Sequence, residues 1–181
     1  MPSEKFNGKY HIGSLRAPWH DYNGGEFFIT ICTKDRQHYF GEIVNGEMQL
    51  SLIGKYTDEC LQKMPEHNPY AQIPLYVIMP DHIHLIVIIS NDDCHRNVPW
   101  RVSVKGKNEI MQKIDNHQGR LSTAIGGFKQ SVTRFARQND IAFAWQSRFH
   151  DYIIRNKNEM NRIAEYIKNN VTKWESDRQK Q

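Results

Sequence analysis

The sequence predicts an α+β fold, an antiparallel sheet with helices on one face, and three observations carry that prediction. Strand-like and helix-like runs follow one another as strand, helix, strand, strand, helix, strand. The strand-like runs are short, rich in Val, Ile and aromatic residues, and bounded by turn residues, whereas each helical run carries one apolar stripe. That order is the split βαβ pattern of a ferredoxin-like sheet, and one more helix follows it at the C-terminal end.

The first strand is expected from Glu26 to Thr33, EFFITICT, where β-branched and aromatic residues suit a central position. Asn45-Gly46 then stands between two short alternating runs. That pair is the signal of a type I′ hairpin, read here as an excursion from the main sheet. A helix is expected from Ser51 to Met64, with Ile53, Tyr56, Cys60, Leu61 and Met64 on one face and Pro65 as its stop. LYVIMPDHIHLIVII, Leu75 to Ile89, reads as two paired strands about a turn at Pro80-Asp81. The second long helix is expected from Leu121 to Gln138, with Leu121, Ala124, Ile125, Phe128, Val132, Phe135 and Ala136 on its buried stripe. Arg148 to Arg155 supplies the fourth strand, and a last helix is expected without interruption from Asn158 to Trp174, burying Met160, Ile163, Ala164, Ile167 and Val171.

The chain has 181 residues, of which 39% are hydrophobic and 11% aromatic. Those are values of a globular chain, so disorder throughout is excluded. We read residues 1–181 as a single domain with an N-terminal arm over 1–25 and a mobile basic loop over 91–120, which holds six basic and four acidic residues. The start, MPSEKFNGKY, has no apolar signal region, and no segment approaches the ~18 apolar residues of a membrane span. The expectation is a soluble cytoplasmic protein with no membrane partner. Three well-separated cysteines, Cys32, Cys60 and Cys94, exclude a Cys-x-x-Cys site and argue against a disulfide framework.

Charge is unevenly spread. Residues 1–90 hold 7 Lys and Arg against 10 Asp and Glu, while residues 91–181 hold 17 against 10. A basic half offers a polyanion a footprint, although basic helices are often only solvated faces. On the Leu121–Gln138 helix, the side opposite the stripe carries Lys129, Gln130, Ser131, Thr133, Arg134 and Arg137. Cations mixed with small hydroxyls suit phosphate contacts, and an ordinary solvated face would look the same.

The candidate site begins at His82 and His84, which open the second of the paired strands. Residues i and i+2 of a strand point to one face, so the two imidazoles project together. Such a pair suits one divalent cation, which satisfies one nitrogen of each ring; the alternative is a structural, hydrogen-bonded pair. On the last helix Tyr166 and Asn170 fall on one flank of the stripe as an i, i+4 pair, offering a phenol and an amide to a cleft, or serving as a boundary aromatic and a cap.

Taken together, PDHIHLIV, the basic helix, WQSRFHDYIIRN and IAEYIKNNVTKW resemble the REP-associated tyrosine transposases, a branch of the single-tyrosine HUH transposases. The likeness runs from Tyr22 to Trp174. It implies His82 and His84 as metal ligands, Asn170 as a third, and Tyr166, on the C-terminal helix, as the nucleophile. The implied metal is Mg²⁺ or Mn²⁺. The implied substrate is single-stranded DNA folded into a palindromic hairpin, gripped by Lys129, Arg134 and Arg137, cut through a 5′-phosphotyrosine intermediate and rejoined. A nucleoid-associated place in a bacterial cytoplasm follows. Two features depart from the family pattern: Val171 stands where relatives often have Pro, which lets the helix continue, and the segment 91–120 has no counterpart.

Three functions compete. A cleaving and rejoining transposase ranks first, and a domesticated protein that binds hairpins without cutting ranks second. A metal-dependent or His-nucleophile phosphoesterase ranks third, because Ile86 stands where a third alternating histidine would fall. The protein is a monomer or a homodimer that exchanges the Tyr166 helix, and the short hinge at Asn156 to Asn158 favours action in cis.

Overall fold

The computed structural model describes residues 22–90 and 119–178. Most of the arm and nearly all of the loop named above lie outside the described residues. Four strands, β1 (Gly25–Cys32), β4 (Ala71–Ile78), β5 (His82–Ile89) and β6 (His150–Ile154), form one antiparallel sheet in the order β4-β5-β1-β6. Between the first two of these, β2 (Gly41–Val44) and β3 (Glu47–Leu50) pair as a separate hairpin. Asn45 and Gly46 both have positive φ, 53° and 78°, as a type I′ turn requires.

Alternation explains why the sheet has two used faces. Phe27, Ile29 and Ile31 of β1 are fully buried, as are Ile83, Leu85 and Val87 of β5, and all six belong to the main core. Against that face pack α1 (Leu52–Gln62) and α3 (Arg120–Gln138). Tyr56 of α1 stacks on Phe135 of α3 with ring centroids 3.9 Å apart, joining the two helices. The end of the N-terminal arm also enters this core, where Tyr22 stacks on Phe27 at 5.5 Å.

The other face is covered by α4 (Lys157–Lys168). Its Ile167, with Met160, Ile163 and Ala164, packs on Ile86, Ile154, Phe28, Leu75 and Val77. The predicted arrangement, helices on one face with a C-terminal helix apart from them, is thus observed, and the sheet separates the two groups. His82 and His84 share the parity of Ile86, so they face α4.

Three boundaries differ from the sequence expectation. Pro65 does not end a helix but lies in the first turn of a second short one, α2 (Met64–His67), where its missing N–H costs nothing. β4 begins at Ala71, four residues early. Pro74 is tolerated because β4 is an edge strand, and the pairing shifts between Gln72 and Leu75. Most consequentially, the last helix is not continuous. It stops at Lys168, turns at Asn169 and resumes as α5 (Asn170–Arg178). The Asn169 N–H reaches back to the carbonyls of Glu165 and Ile167, while its own carbonyl accepts from Lys173 N at 3.1 Å, so one residue caps both helices. Among the described residues no helix is long and apolar enough to cross a membrane.

Candidate active site

The paired strands deliver the histidines as their spacing requires, and the antiparallel register decides what surrounds them. Cys32 lies opposite His82 and Thr30 opposite His84. Both histidines are buried, at 6% and 7% exposure. Their Nε2 atoms face each other at 3.1 Å, and each Nδ1 is held from behind. His82 Nδ1 donates to Asp81 Oδ1 at 2.5 Å, and the Asp81 carboxylate also lies 3.4 Å from Arg36 Nη1. His84 Nδ1 lies 2.9 Å from the Thr30 hydroxyl, a group able to donate or accept.

These partners set the protonation states. Burial pushes the His84 imidazole down to about 3, and the neighbouring His82 and Arg36 charges add to the shift, so the ring is neutral. For Asp81, burial raises the pKa, but the hydrogen bond and charge of His82, with Arg36, outweigh it and hold the carboxyl below its ordinary value. An ionised Asp81 accepts only, which fixes the His82 proton on Nδ1 and turns Nε2 toward His84. With no cation between the rings, His84 Nε2–H donates to His82 Nε2 and the Thr30 hydroxyl donates to Nδ1. With a cation there, the Thr30 hydroxyl turns to accept from Nδ1–H, and both Nε2 atoms are free as ligands.

The donor set fits a divalent metal in part. Two cis ligands of an octahedral ion at about 2.1 Å stand roughly 3.0 Å apart, close to the spacing of the two nitrogens. Both rings also have the carboxylate or hydroxyl backing that ligating histidines have. Among the described residues, no group of three or more His, Cys, Asp or Glu is placed to hold a metal ion.

Tyr166 completes the convergence. Its Oη lies 3.2 Å from His84 Nε2, its ring meets the His84 ring at 5.3 Å and stands edge-on to Phe28 at 6.1 Å. The side chain is nonetheless 40% exposed, so a ligand can reach the phenol. The other exposed tyrosine, Tyr152, points its hydroxyl at Glu159 instead.

Asn170 stands just past the break at Asn169, buried at 7% exposure in the first turn of α5. No side-chain hydrogen bond joins it to either histidine among the described residues. The same helix brings Trp174 to His82, with ring centroids 5.7 Å apart, and to His38 at 6.0 Å. The indole Nε1 of Trp174 is buried without a partner, a spare donor beside the pair.

The three cations of α3 expected to grip DNA, Lys129, Arg134 and Arg137, divide. Lys129 Nζ donates to the Gln146 carbonyl at 2.8 Å and lies 5.6 Å over the Trp145 ring, and burial lowers its pKa. Arg134 and Arg137 remain exposed beside Gln130 and Thr133 on a shallow recess. Because α3 covers the face opposite the histidines, this recess is separated from Tyr166 by the sheet.

Asp81, Thr30, Arg36 and Trp174 are the site residues that sequence reasoning missed. Asp81 had a signal, since a carboxylate directly before the pair is within reach of the first ring. Thr30 had none, because its place depends on the β1–β5 register.

The histidine pair therefore opens an inner strand of a ferredoxin-like sheet and is met there by a helix-borne tyrosine. The fold matches the structure of the REP-associated tyrosine transposase bound to a REP hairpin, with a TM-score of 0.54 over 87% of this chain and 73% of that one, at 18% identity. A Haemophilus influenzae protein described only as uncharacterized is 35% identical over 177 residues, 96% of both chains. A second protein of the same organism, named as a candidate REP-associated tyrosine transposase, is 25% identical over 152 residues, covering 83% of this chain and 72% of its own. No family model matches. In sequence the chain is thus similar to a candidate REP-associated tyrosine transposase, and in fold to a solved one.

Proposed function

We propose that the protein cleaves and rejoins single-stranded DNA carrying palindromic hairpins, with Tyr166 as nucleophile. The observation that carries this reading is the meeting of the Tyr166 hydroxyl with the two inward-facing Nε2 atoms of His82 and His84. The hairpin substrate is taken from the relative whose structure holds a REP hairpin.

A phenol has an ordinary pKa near 10 and attacks a phosphodiester poorly unless the phosphate is polarised and the geometry prearranged. His82 and His84, with Asn170 as third donor, would hold Mg²⁺ or Mn²⁺, which supplies charge stabilisation at the scissile phosphate. The chain's own contribution is rigidity. Asp81 and Thr30 orient the rings, and α4, seated by Ile167, holds the phenol at their edge. In the reaction the Tyr166 Oη–P bond forms and the P–O3′ bond breaks. The phenolic proton passes to solvent, and the departing 3′ oxygen takes one up. The phosphate remains on its 5′ oxygen, so the products are a 5′-phosphotyrosine and a free 3′-OH. A second 3′-OH reverses the step without an external energy source.

The test is incubation of the full chain with labelled hairpin-bearing single-stranded DNA and Mn²⁺, followed by a denaturing gel. A covalent adduct is expected with the wild type and none with Tyr166→Phe. His82→Ala should bind the DNA and fail to cleave it. A wild type that binds hairpins but never forms an adduct would assign the protein to the non-cleaving binders. An adduct surviving in Tyr166→Phe would move the nucleophile elsewhere.

A further inference from the structure

Against the flank of Tyr166, β1, β6 and α4 leave a shallow recess lined by Phe28, Tyr152, Glu159, Arg162, Ile163 and Tyr166. Its lining is almost wholly apolar. Among the described residues only three large hydrophobic side chains are exposed, and two of them, Tyr152 at 48% and Tyr166 at 40%, stand here. An exposed aromatic beside a reactive centre is unusual enough to need a role, because burying its ring would be favourable.

Tyr152 is also held in place. Its hydroxyl donates to Glu159 Oε1 at 3.2 Å, while Glu159 Oε2 accepts from the Arg155 backbone N–H at 2.9 Å. The carboxylate thus ties the exposed ring to the first turn of α4, the helix that carries Tyr166. Phe28 forms the floor and is itself stacked on His84 at 5.2 Å, so recess and histidines share one aromatic layer. Two cations border it. Arg162 lines the recess, and Lys173 Nζ lies 5.6 Å over the Tyr166 ring. A ringed, apolar shelf with the Arg162 cation on its edge, where the Glu159 carboxylate is occupied by the Tyr152 hydroxyl and the Arg155 N–H, matches one ligand chemistry: an aromatic base attached to a phosphodiester.

We propose that Tyr152, beside its cross-strand partner Phe28, is a stacking platform for one unpaired nucleobase adjacent to the scissile phosphate, with Arg162 meeting the neighbouring backbone. This rests on the cleavage reading above and adds the means by which the strand is registered on Tyr166. Tyr152 acts as a positioning residue. Stacking is tolerant of base identity, so the platform fixes the place of the strand and not its sequence. It also requires an unpaired nucleotide at the cleavage position, since a base held in a duplex has no free face.

The experiment uses a hairpin oligonucleotide with 2-aminopurine placed in turn at the two nucleotides flanking the cleavage position, bound to Tyr166→Phe so that the complex stays uncut. Quenching is expected at one of the two positions and should be lost when Tyr152→Ala is added. In the Tyr166-intact chain, Tyr152→Ala should raise KM by roughly ten-fold with kcat within two-fold, and Tyr152→Phe should restore most of the loss. An abasic nucleotide at the quenched position should cost as much, and Tyr152→Ala should then add nothing. Equal affinity of Tyr152→Ala and the parent, additive losses from the variant and the abasic site, or a Tyr152→Phe as weak as Tyr152→Ala would overturn the platform. The binding arm needs no cleavage. Adduct formation without quenching therefore sinks only the platform, and quenching without any adduct sinks only the cleavage reading.

Discussion

Asp81 and Thr30 show how much of this site lies behind the two paired imidazoles. Losing the carboxylate leaves His82 free to rotate and to change tautomer, and loss of such a partner typically lowers metal affinity by about 10- to 100-fold. Asp81→Asn should therefore weaken Mn²⁺ binding by that factor, measured by calorimetry on a chain whose fold is unchanged. His84 makes a separate prediction. Its folded pKa, about 3, lies below the ordinary 6.5, so the unfolded chain binds a proton that the folded chain refuses. Metal-free protein should lose stability as pH falls below about 6.5, by on the order of 2 kcal/mol between pH 8 and pH 5. The loss should continue toward pH 3. Urea titrations across that range check it, and His84→Gln should flatten the curve. The depressed Asp81 carboxyl acts the same way only at lower pH, below its ordinary value, where its protonation removes the tie to His82.

At the scale of elements, the position of Tyr166 depends on how α4 is fastened. Asn156 caps its start by accepting from Glu159 N at 2.9 Å, and Ile167 seats its end at 1% exposure. Asn156→Ala should cost about 1 kcal/mol, and Ile167→Ala about 2 to 5 kcal/mol, read by denaturant unfolding. Either change should also raise amide exchange in α4 before it does so in β5. Sequence periodicity located α4 well, because a buried stripe repeats every three or four residues whatever lies beneath it. The break at Asn169 was not legible. An Asn-Asn pair with no Pro or Gly after it is compatible with a continuing helix, and beyond the turn α5 places Trp174 against His82.

Across the whole molecule, charge is the property read most easily from sequence and least completely. The basic second half was evident, but Lys129, Arg134 and Arg137 of α3 are not equivalent. Lys129 is engaged with Gln146 and Trp145, whereas Arg134 and Arg137 are exposed. If DNA follows this surface, Arg134→Ala with Arg137→Ala should reduce the slope of log affinity against log salt by roughly 1.4 to 1.8. Lys129→Ala should leave that slope nearly unchanged and destabilise the fold instead. A DNA strand touching both α3 and Tyr166 must pass from one face of the sheet to the other. The Cys32–Thr33 end is one place where the layers join, with Gln146 N donating to the Cys32 carbonyl and Thr33 bridged to Trp145.

The sequence by itself determined the strand order, the two helices of the main face and the shared face of His82 and His84, because these depend on local periodicity and on the parity of a strand. Only the tertiary structure decided which nitrogens converge, what holds them, and which of the two exposed tyrosines meets them. Those outcomes depend on the β1–β5 register, on the sheet face that α4 covers and on the turn at Asn169. Each is settled by packing between segments distant in the chain, which no local pattern encodes.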